Sequence, residues 1–306
     1  MAETASADAT SGPQRFRAGS RGGLDYFFYF LKNNPFAILG LAIVVVVILL
    51  TIISPYIAPY DPQKTLPGKT LKPPSSEHWF GTDINALDVF SRTLTATRTD
   101  IPVAVIATAI AMFIGVSLGV VAGYFGNRGG PGGIASEATL RLMDILQAFP
   151  VFILALALVA GTGASTINVG IAIAFVNAPI FLRLIRGQVL GLREMPYVEA
   201  ARCAGASGKR VAFRNILPGV ISPALVQASV TIGFAILLIA GLSFVGAGVP
   251  QPTPEWGLMI ATGSRDIVTG QWWTSVFPGL ALAITVFGFA LLGEALGKAL
   301  DPLQRQ

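Results

Sequence analysis

Long tracts without a single charged side chain constrain the fold of this chain more than any other feature. A membrane-spanning helix needs roughly 20 consecutive apolar residues. Of the 306 residues, 53% are hydrophobic and only 12% are charged, which is about half the charge of an average soluble domain. The tract at 145–182 is too long for one helix and breaks at GTGAS (161–165), so it predicts two spans. The uncharged tracts lie at 36–60, 101–127, 145–182, 221–246 and 267–293. The sequence therefore predicts an all-α integral membrane protein with six transmembrane helices.

The distribution of lysine and arginine predicts the orientation of these helices. Cytoplasmic segments of membrane proteins are enriched in these two residues. With the N-terminus inside, fifteen of the 21 Lys and Arg residues fall in inner segments and six in outer ones. Both termini are then cytoplasmic, and the net charge of +5 reflects membrane topology and not nucleic-acid binding. The expected location is a bacterial inner (cytoplasmic) membrane.

These features divide the chain into five parts. We expect a cytoplasmic tail at 1–35, a first transmembrane helix at 36–56 that acts as an uncleaved signal-anchor, and a periplasmic segment with an amphipathic helix at 57–100. A five-helix core follows at 101–298 and includes a cytoplasmic loop at 187–220. Residues 299–306 form a cytoplasmic C-terminus.

No catalytic or metal-binding set of residues emerges from the sequence. Cys203 and His78 are each the only residue of their type, so a disulfide within the chain and a metal site of His/Cys spacing are excluded. GASGKR (205–210) differs from a phosphate-binding loop, which needs Gly-x4-Gly-Lys-Ser/Thr. We predict that the chain is not an enzyme and carries no cofactor of its own.

An ion-coupled secondary carrier is the alternative from a different functional class. Such carriers usually keep ionisable residues near the bilayer centre. Here the acidic residues fall at the ends of the predicted spans, and the span centres offer only neutral polar groups. Asn177, Gln227, Ser229 and Thr231 are these groups, and they are the candidates for lining a pathway.

The stretch EAARCAGASGKRVAFRNILP (199–218) is the most polar part of the predicted core. Gly205 is suited to ending one short helix, and Ser207 is suited to capping a second one that runs to about Asn215. We expect Leu217-Pro218 to break the chain before the fifth span. The residues alone leave two alternatives open, a docking element for another protein or an amphipathic helix on lipid headgroups.

This stretch resembles the EAA loop of ATP-binding-cassette (ABC) importer permeases. The family pattern is Glu-Ala-Ala, three residues, Gly, nine residues and Ile-x-Leu-Pro, and the chain departs from it at Asn215. The resemblance implies the type I importer permease fold and a coupling helix that docks on an ATPase subunit. It also implies three kinds of partner besides membrane lipid: a homologous second permease, two ATP-binding subunits that hold ATP and Mg, and a periplasmic solute-binding protein. The residues implied in coupling are Glu199, Ala200, Ala201, Gly205, Ala206, Ser207, Lys209, Arg210, Phe213, Arg214, Leu217 and Pro218.

Further segments resemble the C-type permease of dipeptide and oligopeptide importers from about residue 25 to the C-terminus. Among them are NNPFAILGLAIV (33–44), HWFGTDINALDVFSRTLTATR (78–98) and LSFVGAGVPQPTPEWGLMI (242–260). The family usually has Gly-Arg where this chain has Ala86 and Leu87. The resemblance implies import of di- or oligopeptides, and it leaves an opine, glutathione, an oligosaccharide or a nickel chelate as alternative cargoes.

Three local patterns carry smaller predictions. Gly115, Gly119 and Gly123 form a small-xxx-small stripe that favours close helix packing. Arg141 and Asp144 are spaced i, i+3 and are expected to pair on one helix face. Pro150 is expected to kink the third span.

Overall fold

The computed structural model describes residues 34–126 and 130–300, and in these ranges the chain is built from helices without a strand. Residues 1–33 of the predicted tail and residues 301–306 lie outside the described ranges. The helices are α1 (Pro35–Ile57), α2 (Val89–Phe125), α3 (Gly130–Ala148), α4 (Val151–Thr162), α5 (Thr166–Leu192), α6 (Pro196–Cys203), α7 (Gly208–Phe244), α8 (Trp256–Ser264) and α9 (Trp273–Leu300).

Five of the described helices are long and apolar enough to cross a membrane: α1, α2, α5, α7 and α9. A sixth span is obtained if α3 and α4 are counted together, and these two helices meet at an angle of 95°. The break lies at Pro150, which lacks an N–H for the helix ladder and disfavours helical backbone at the preceding residue. The all-helical membrane fold is confirmed, and the predicted six spans equal the upper count of five to six, with a bend at Pro150 that is far sharper than the expected kink.

The second span begins earlier than the sequence predicts. α2 is one continuous helix of 37 residues, and Pro102 lies inside it. Asp88 caps its first turn by accepting a hydrogen bond from the backbone N–H of Ser91 (2.8 Å). The amphipathic helix expected within 57–100 is thus the beginning of α2, and its side chains Arg92, Ala96 and Asp100 are buried. Packing on these side chains holds the helix together across Ile101-Pro102.

The predicted glycine stripe packs α2 against α5. A Cβ atom added at Gly115 would lie 2.5 Å from Cβ of Phe181, and one added at Gly119 would lie 2.9 Å from Cβ of Ile185. At Gly123 it would lie 2.7 Å from Cβ of Val189. No side chain fits at these three positions unless the helices move apart, so the packing prediction is confirmed.

The predicted pair of Arg141 and Asp144 does not form. Nε of Arg141 instead lies 3.0 Å from Oε1 of Glu137, one turn earlier in α3. Asp144 pairs with Arg183 of α5, at 2.8 Å. The i, i+3 spacing was compatible with a local bond, but each side chain has a partner in better position.

The segment between α1 and α2 is held by buried polar contacts. His78 Nδ1 lies 2.9 Å from Oδ1 of Asp88, and both side chains are almost fully buried. Arg92 donates from one guanidinium nitrogen to the carbonyl oxygens of Pro62 and Pro252. Glu255 caps α8, and burial raises the pKa of its carboxyl. These contacts tie the segment after α1 to the loop before α8.

Candidate functional site

The loop after α5 starts with the short helix α6. Pro196 occupies its first turn, where the missing N–H costs no hydrogen bond. Val198 is fully buried, while Glu199 and Ala200 are exposed and Ala201 is half-buried. The guanidinium carbon of Arg202 lies 5.4 Å from the centroid of the Tyr124 ring, a cation–π distance. One side of α6 is therefore fixed to α2, and the side with Glu199 faces outward.

Gly205 ends α6 in the left-handed conformation, with φ of +80°. Its N–H donates to the carbonyl of Arg202 (2.9 Å), and the N–H of Ala206 donates to the carbonyl of Ala201 (3.1 Å). These two bonds are those of a Schellman motif. A Cβ atom at Gly205 would meet no atom within 4 Å. Glycine is therefore favoured here by backbone conformation and not by space within the chain.

Ser207 caps the next helix, as the sequence predicts. Its hydroxyl oxygen accepts a hydrogen bond from the backbone N–H of Arg210 (3.4 Å), and its carbonyl accepts from Val211 (3.0 Å). Two capping devices thus meet within three residues, the C-terminal cap of α6 and the N-terminal cap of α7. The angle between the two helices is consequently defined by hydrogen bonds on both sides.

The expected break at Leu217-Pro218 is absent, because α7 is helical from Gly208 to Phe244. Its residues Val211–Ile216 form a π-helical turn, and the N–H of Leu217 donates to the carbonyl of Ala212, five residues earlier. A wider turn accommodates the ring of Pro218, which would otherwise clash with the preceding turn. The sequence signal for this π turn is Pro218, which by itself predicts a helix end.

The first turns of α7 have one buried and one exposed side. Val211, Ala212 and Ile216 are fully buried. They pack against a cluster to which α2 contributes Val120 and Tyr124, and to which α5 contributes Ile185 and Val189. Asn215, where the resemblance pattern has Ile, is half-buried, and Ile216 fills the apolar position instead. The short helix is therefore anchored to the spans by its own core.

The exposed side of these turns is cationic with an aromatic residue among the charges. Phe213 is 45% exposed, and Lys209, Arg210 and Arg214 are exposed with it. We call these four residues the basic face. Two other arginines of the region are engaged within the chain, since Arg193 donates to the carbonyl of Gly123 (3.2 Å) and Arg202 covers Tyr124. The basic face thus presents exposed positive charges of this loop.

The remaining residues implied by the resemblance lie around this face. Ser207 and Pro218 are exposed, and Ala206 and Leu217 are half-buried. The structure therefore brings the predicted set into one loop, with Ala201 and Leu217 directed partly inward. That Val198, Val211 and Ile216 form the anchor is evident only in the structure, although their apolar side chains among charged neighbours are the signal in the sequence.

The four predicted pathway residues lie inside the helix packing or at its margin. Asn177 is fully buried, and neither side-chain amide atom has a hydrogen-bond partner among the described residues. Ser229 and Thr231 are buried too, and the half-buried Gln227 donates to the hydroxyl of Thr231 (3.2 Å). Their role in lining a pathway stays a prediction.

The described residues contain no cluster of three or more His, Cys, Asp or Glu side chains that could hold a metal ion. A cavity of about 180 Å³ lies between the segment that joins α1 to α2 and helix α8. Asp83 and Arg92 contribute to its wall. Both have structural partners, since Asp83 accepts from the N–H groups of Asn85 and Leu87 and Arg92 holds two proline carbonyls. The cavity and the two charged residues in its wall therefore do not indicate a catalytic centre.

Comparison with known protein families gives two matches. Residues 115–306 match the family described as "binding-protein-dependent transport system inner membrane component". Residues 24–74 match the family described as "N-terminal TM domain of oligopeptide transport permease C". The two matches lie on the helical core with its loop and on the first span, respectively.

Individual relatives are similar over almost the whole chain. A probable D,D-dipeptide transport system permease protein of Escherichia coli K12 is 41% identical over 274 residues, which cover 90% of each chain. A dipeptide transport system permease protein of Alkalihalophilus pseudofirmus is 41% identical, over 89% of this chain and 87% of the relative. A glutathione transport system permease protein of Pectobacterium atrosepticum is 38% identical, over 91% and 90%.

Proposed function

Because the chain belongs to the family of binding-protein-dependent transport system inner membrane components, we propose that it forms half of the translocation pathway of an ATP-driven peptide importer. It is a multi-pass membrane permease subunit and not an enzyme. The family argues against the ion-coupled carrier, since its members work with a binding protein. The second half of the pathway is a homologous permease.

The proposed cargo is a di- or oligopeptide. Relatives that are 41% identical are named as dipeptide permeases, and the match at residues 24–74 is to oligopeptide permease C. Glutathione is the second candidate, because glutathione permeases are 38% identical over a similar length. No comparable observation favours an opine, an oligosaccharide or a nickel chelate.

The observation that carries the coupling proposal is the anchored basic face. Interfaces are enriched in arginine and aromatic side chains at their centres, and complementary charge steers the partner into position. Phe213 with Lys209, Arg210 and Arg214 offers both on a helix whose other side is fixed in the core. We assign this face to docking on one of two ATP-binding subunits. ATP and Mg bind to those subunits, and the periplasmic binding protein delivers the peptide from the other side of the membrane.

The test is co-purification of the ATP-binding subunits with a variant of the basic face. Arg210→Glu combined with Arg214→Glu reverses two exposed charges and leaves the buried anchor untouched. We expect the amount of co-purified ATPase in detergent to fall at least tenfold, with peptide uptake lost and the level of the permease in the membrane unchanged. Arg265→Glu, at an exposed arginine outside the loop, is the control and should retain the ATPase.

The use of detergent separates the two alternatives for this loop. If the basic face bound lipid headgroups only, its reversal would leave the detergent-solubilised complex intact. Normal co-purification together with normal uptake would therefore contradict the docking proposal.

A further inference from the structure

The cavity between the segment that joins α1 to α2 and helix α8 has a polar rim and a buried floor. Gln63, Asn85 and Gln251 line it and are exposed, so the cavity opens to the surface. Arg92 and Met259 line it too and are buried, and Arg92 is only 4% exposed. The volume of about 180 Å³ is below the roughly 300–1,000 Å³ of sites for drug-sized molecules. The cavity therefore suits a small ligand.

Two opposite charges in the cavity wall are not paired with each other. Asp83 accepts two backbone N–H groups through Oδ1 alone, and Arg92 donates to two backbone carbonyls through Nη1 alone. Nε of Arg92 is buried without a partner. Among the described residues, Asp83 and Arg92 form no ion pair, and Oδ2 of Asp83 and Nη2 of Arg92 have no hydrogen-bond partner. The fold thus uses one polar atom of each charged group and leaves another for a ligand.

The surroundings of Asp83 favour a positively charged group beside it. Burial raises the pKa of its carboxyl, and the nearby Asp266 raises it further. Both effects destabilise the carboxylate, and an ammonium group next to it would counteract them. A lone anion at Arg92 would be repelled by the two acids. A metal ion would be repelled by the guanidinium of Arg92, and the described residues hold no cluster of three metal-binding side chains. A ligand that carries both charges fits better than either ion.

Apolar side chains complete the wall of the cavity. Leu87, Val89 and Leu258 line it together with Met259. An amino acid with an apolar side chain offers the three features that this wall complements: an ammonium group, a carboxylate and a hydrophobic group. We propose that the cavity binds an amino-acid zwitterion, either a free amino acid or a dipeptide. Its ammonium group lies at Asp83 and its carboxylate at Arg92.

This site is separate from the loop with the basic face. α2 begins at the cavity and ends beside that loop, where the guanidinium of Arg202 covers Tyr124. α7 begins in that loop and ends before residues 251 and 252, which line the cavity. A bound ligand would tie the start of α2 to the loop after α7, and that loop is bonded to α7 through Ser243 and Val249. The proposal goes beyond the proposed function, because binding here requires neither peptide uptake nor a docked ATPase.

The first experiment measures equilibrium binding of leucine and of dialanine to the complete transporter, without ATP and without the binding protein. At least one of them should bind saturably at millimolar concentration. The N-acetylated form of that ligand lacks the ammonium group and its amidated form lacks the carboxylate, so each should bind at least tenfold more weakly. Absence of saturable binding would show that the cavity holds water only. That result, or equal binding of the ligand and both blocked forms, overturns the proposal.

Asp83→Asn tests the contact with the ammonium group. The amide keeps an oxygen that can accept the two backbone N–H groups, so the turn is preserved while the charge is removed. Affinity for the zwitterion should fall at least tenfold, whereas affinity for the N-acetylated form should not change. Asp61→Asn is the matched control, because Oδ1 of Asp61 accepts the N–H of Gln63 in the same way (2.9 Å) and Asp61 does not line the cavity. Unchanged affinity for the zwitterion in Asp83→Asn contradicts the assignment.

A second pair of variants decides the question even if Asp83→Asn fails to assemble, which ATPase co-purification would reveal. Asn85 is exposed at the rim, so Asn85→Trp should obstruct the entrance without disturbing the core and abolish binding. Ile84→Trp should bind normally, because Ile84 is 48% exposed and does not line the cavity. A dipeptide held in the translocation pathway instead would bind equally to both variants. That outcome overturns the present proposal and leaves the proposed function intact.

Discussion

Ala86 adopts a backbone conformation that L-residues other than glycine seldom take, with φ of +56°. Its N–H donates to the carbonyl of Asp83 (3.0 Å), and its carbonyl accepts from Leu66 (2.9 Å). These bonds fix the turn before α2, so the alanine cannot relax to negative φ without losing them. The resemblance pattern has glycine at this position, and the structure supplies the physical reason. The chain tolerates a strained alanine there because the turn is held from both sides.

Replacing this alanine should stabilise the protein. Left-handed geometry costs an L-residue roughly 1–2 kcal/mol, and part of that gain is offset by the greater freedom of glycine in the unfolded chain. Loss of the buried Ala86 methyl offsets a further part of the gain. We therefore expect Ala86→Gly to raise the free energy of unfolding by less than about 1 kcal/mol, measured as a higher midpoint of thermal unfolding in detergent. Ala96→Gly, at a buried position inside α2, is the control and should lower the midpoint. A midpoint that falls in both variants would show that Ala86 is not strained.

Single helices show which features of the sequence were sufficient for prediction. The apolar length of 36–60 or 221–246 predicts a span because the bilayer sets that length locally. The break at 161–165 and the glycine stripe follow from residue type in the same way. The continuity of α2 through Pro102 depends on packing against other helices, and the partner of Asp144 lies 39 residues away. The local spacing of residues therefore predicts neither the continuity of α2 nor the partner of Asp144.

The loop at 187–220, which we call the coupling loop, also combines features that follow from the local sequence with features that depend on packing. Gly205 and Ser207 are capping residues by their own chemistry, so the sequence identified both. The π turn before Pro218 arises because α7 must stay packed on α2 and α5 while it accommodates a proline, and no local pattern predicts the outcome. Residues of the anchor, such as Val198 and Ile216, became recognisable once the neighbouring helices were in place.

At the junction of α6 and α7, the effect of backbone conformation can be separated from the effect of side-chain size. Gly205→Val forces a β-branched residue into positive φ, whereas Gly205→Asn adds a side chain that tolerates this region. Space within the chain is available for both, since no atom lies within 4 Å of the Cβ position. If only the conformation matters, we expect peptide uptake to fall at least tenfold in Gly205→Val and less than threefold in Gly205→Asn.

The control for this comparison is Gly270→Val, because Gly270 also has positive φ (+93°) and open space around it. Gly270 lies outside the coupling loop, so most of the ATPase should still co-purify with the Gly270→Val variant. Loss of uptake in both Gly205 variants would indicate a clash with the docked subunit instead of backbone strain. Normal uptake in Gly205→Val would contradict the idea that this junction must hold one geometry.

The arrangement of the whole chain in the membrane is testable with single cysteines. Six spans with both termini inside place residues 61–99 and 247–271 in the periplasm. In a Cys203→Ser background, Lys69→Cys and Arg265→Cys should react with a membrane-impermeant thiol reagent in intact cells, and Lys209→Cys should not. Cys203 is exposed in the structure, which is why it has to be removed first. Labelling at position 209 would reverse the orientation and remove the basic face from the side where ATP is available.

The uninterrupted course of α7 has a mechanical consequence. Its 37 residues extend for about 55 Å at 1.5 Å per residue, more than the full thickness of a bilayer. If α7 moves as one body, a tilt of about 5° around its middle moves each end by roughly 2 Å in opposite directions. The far end is joined to the loop after α7, because the hydroxyl of Ser243 accepts a hydrogen bond from the N–H of Val249. A pull on the basic face would therefore push the opposite end of the same helix without any relay of side chains.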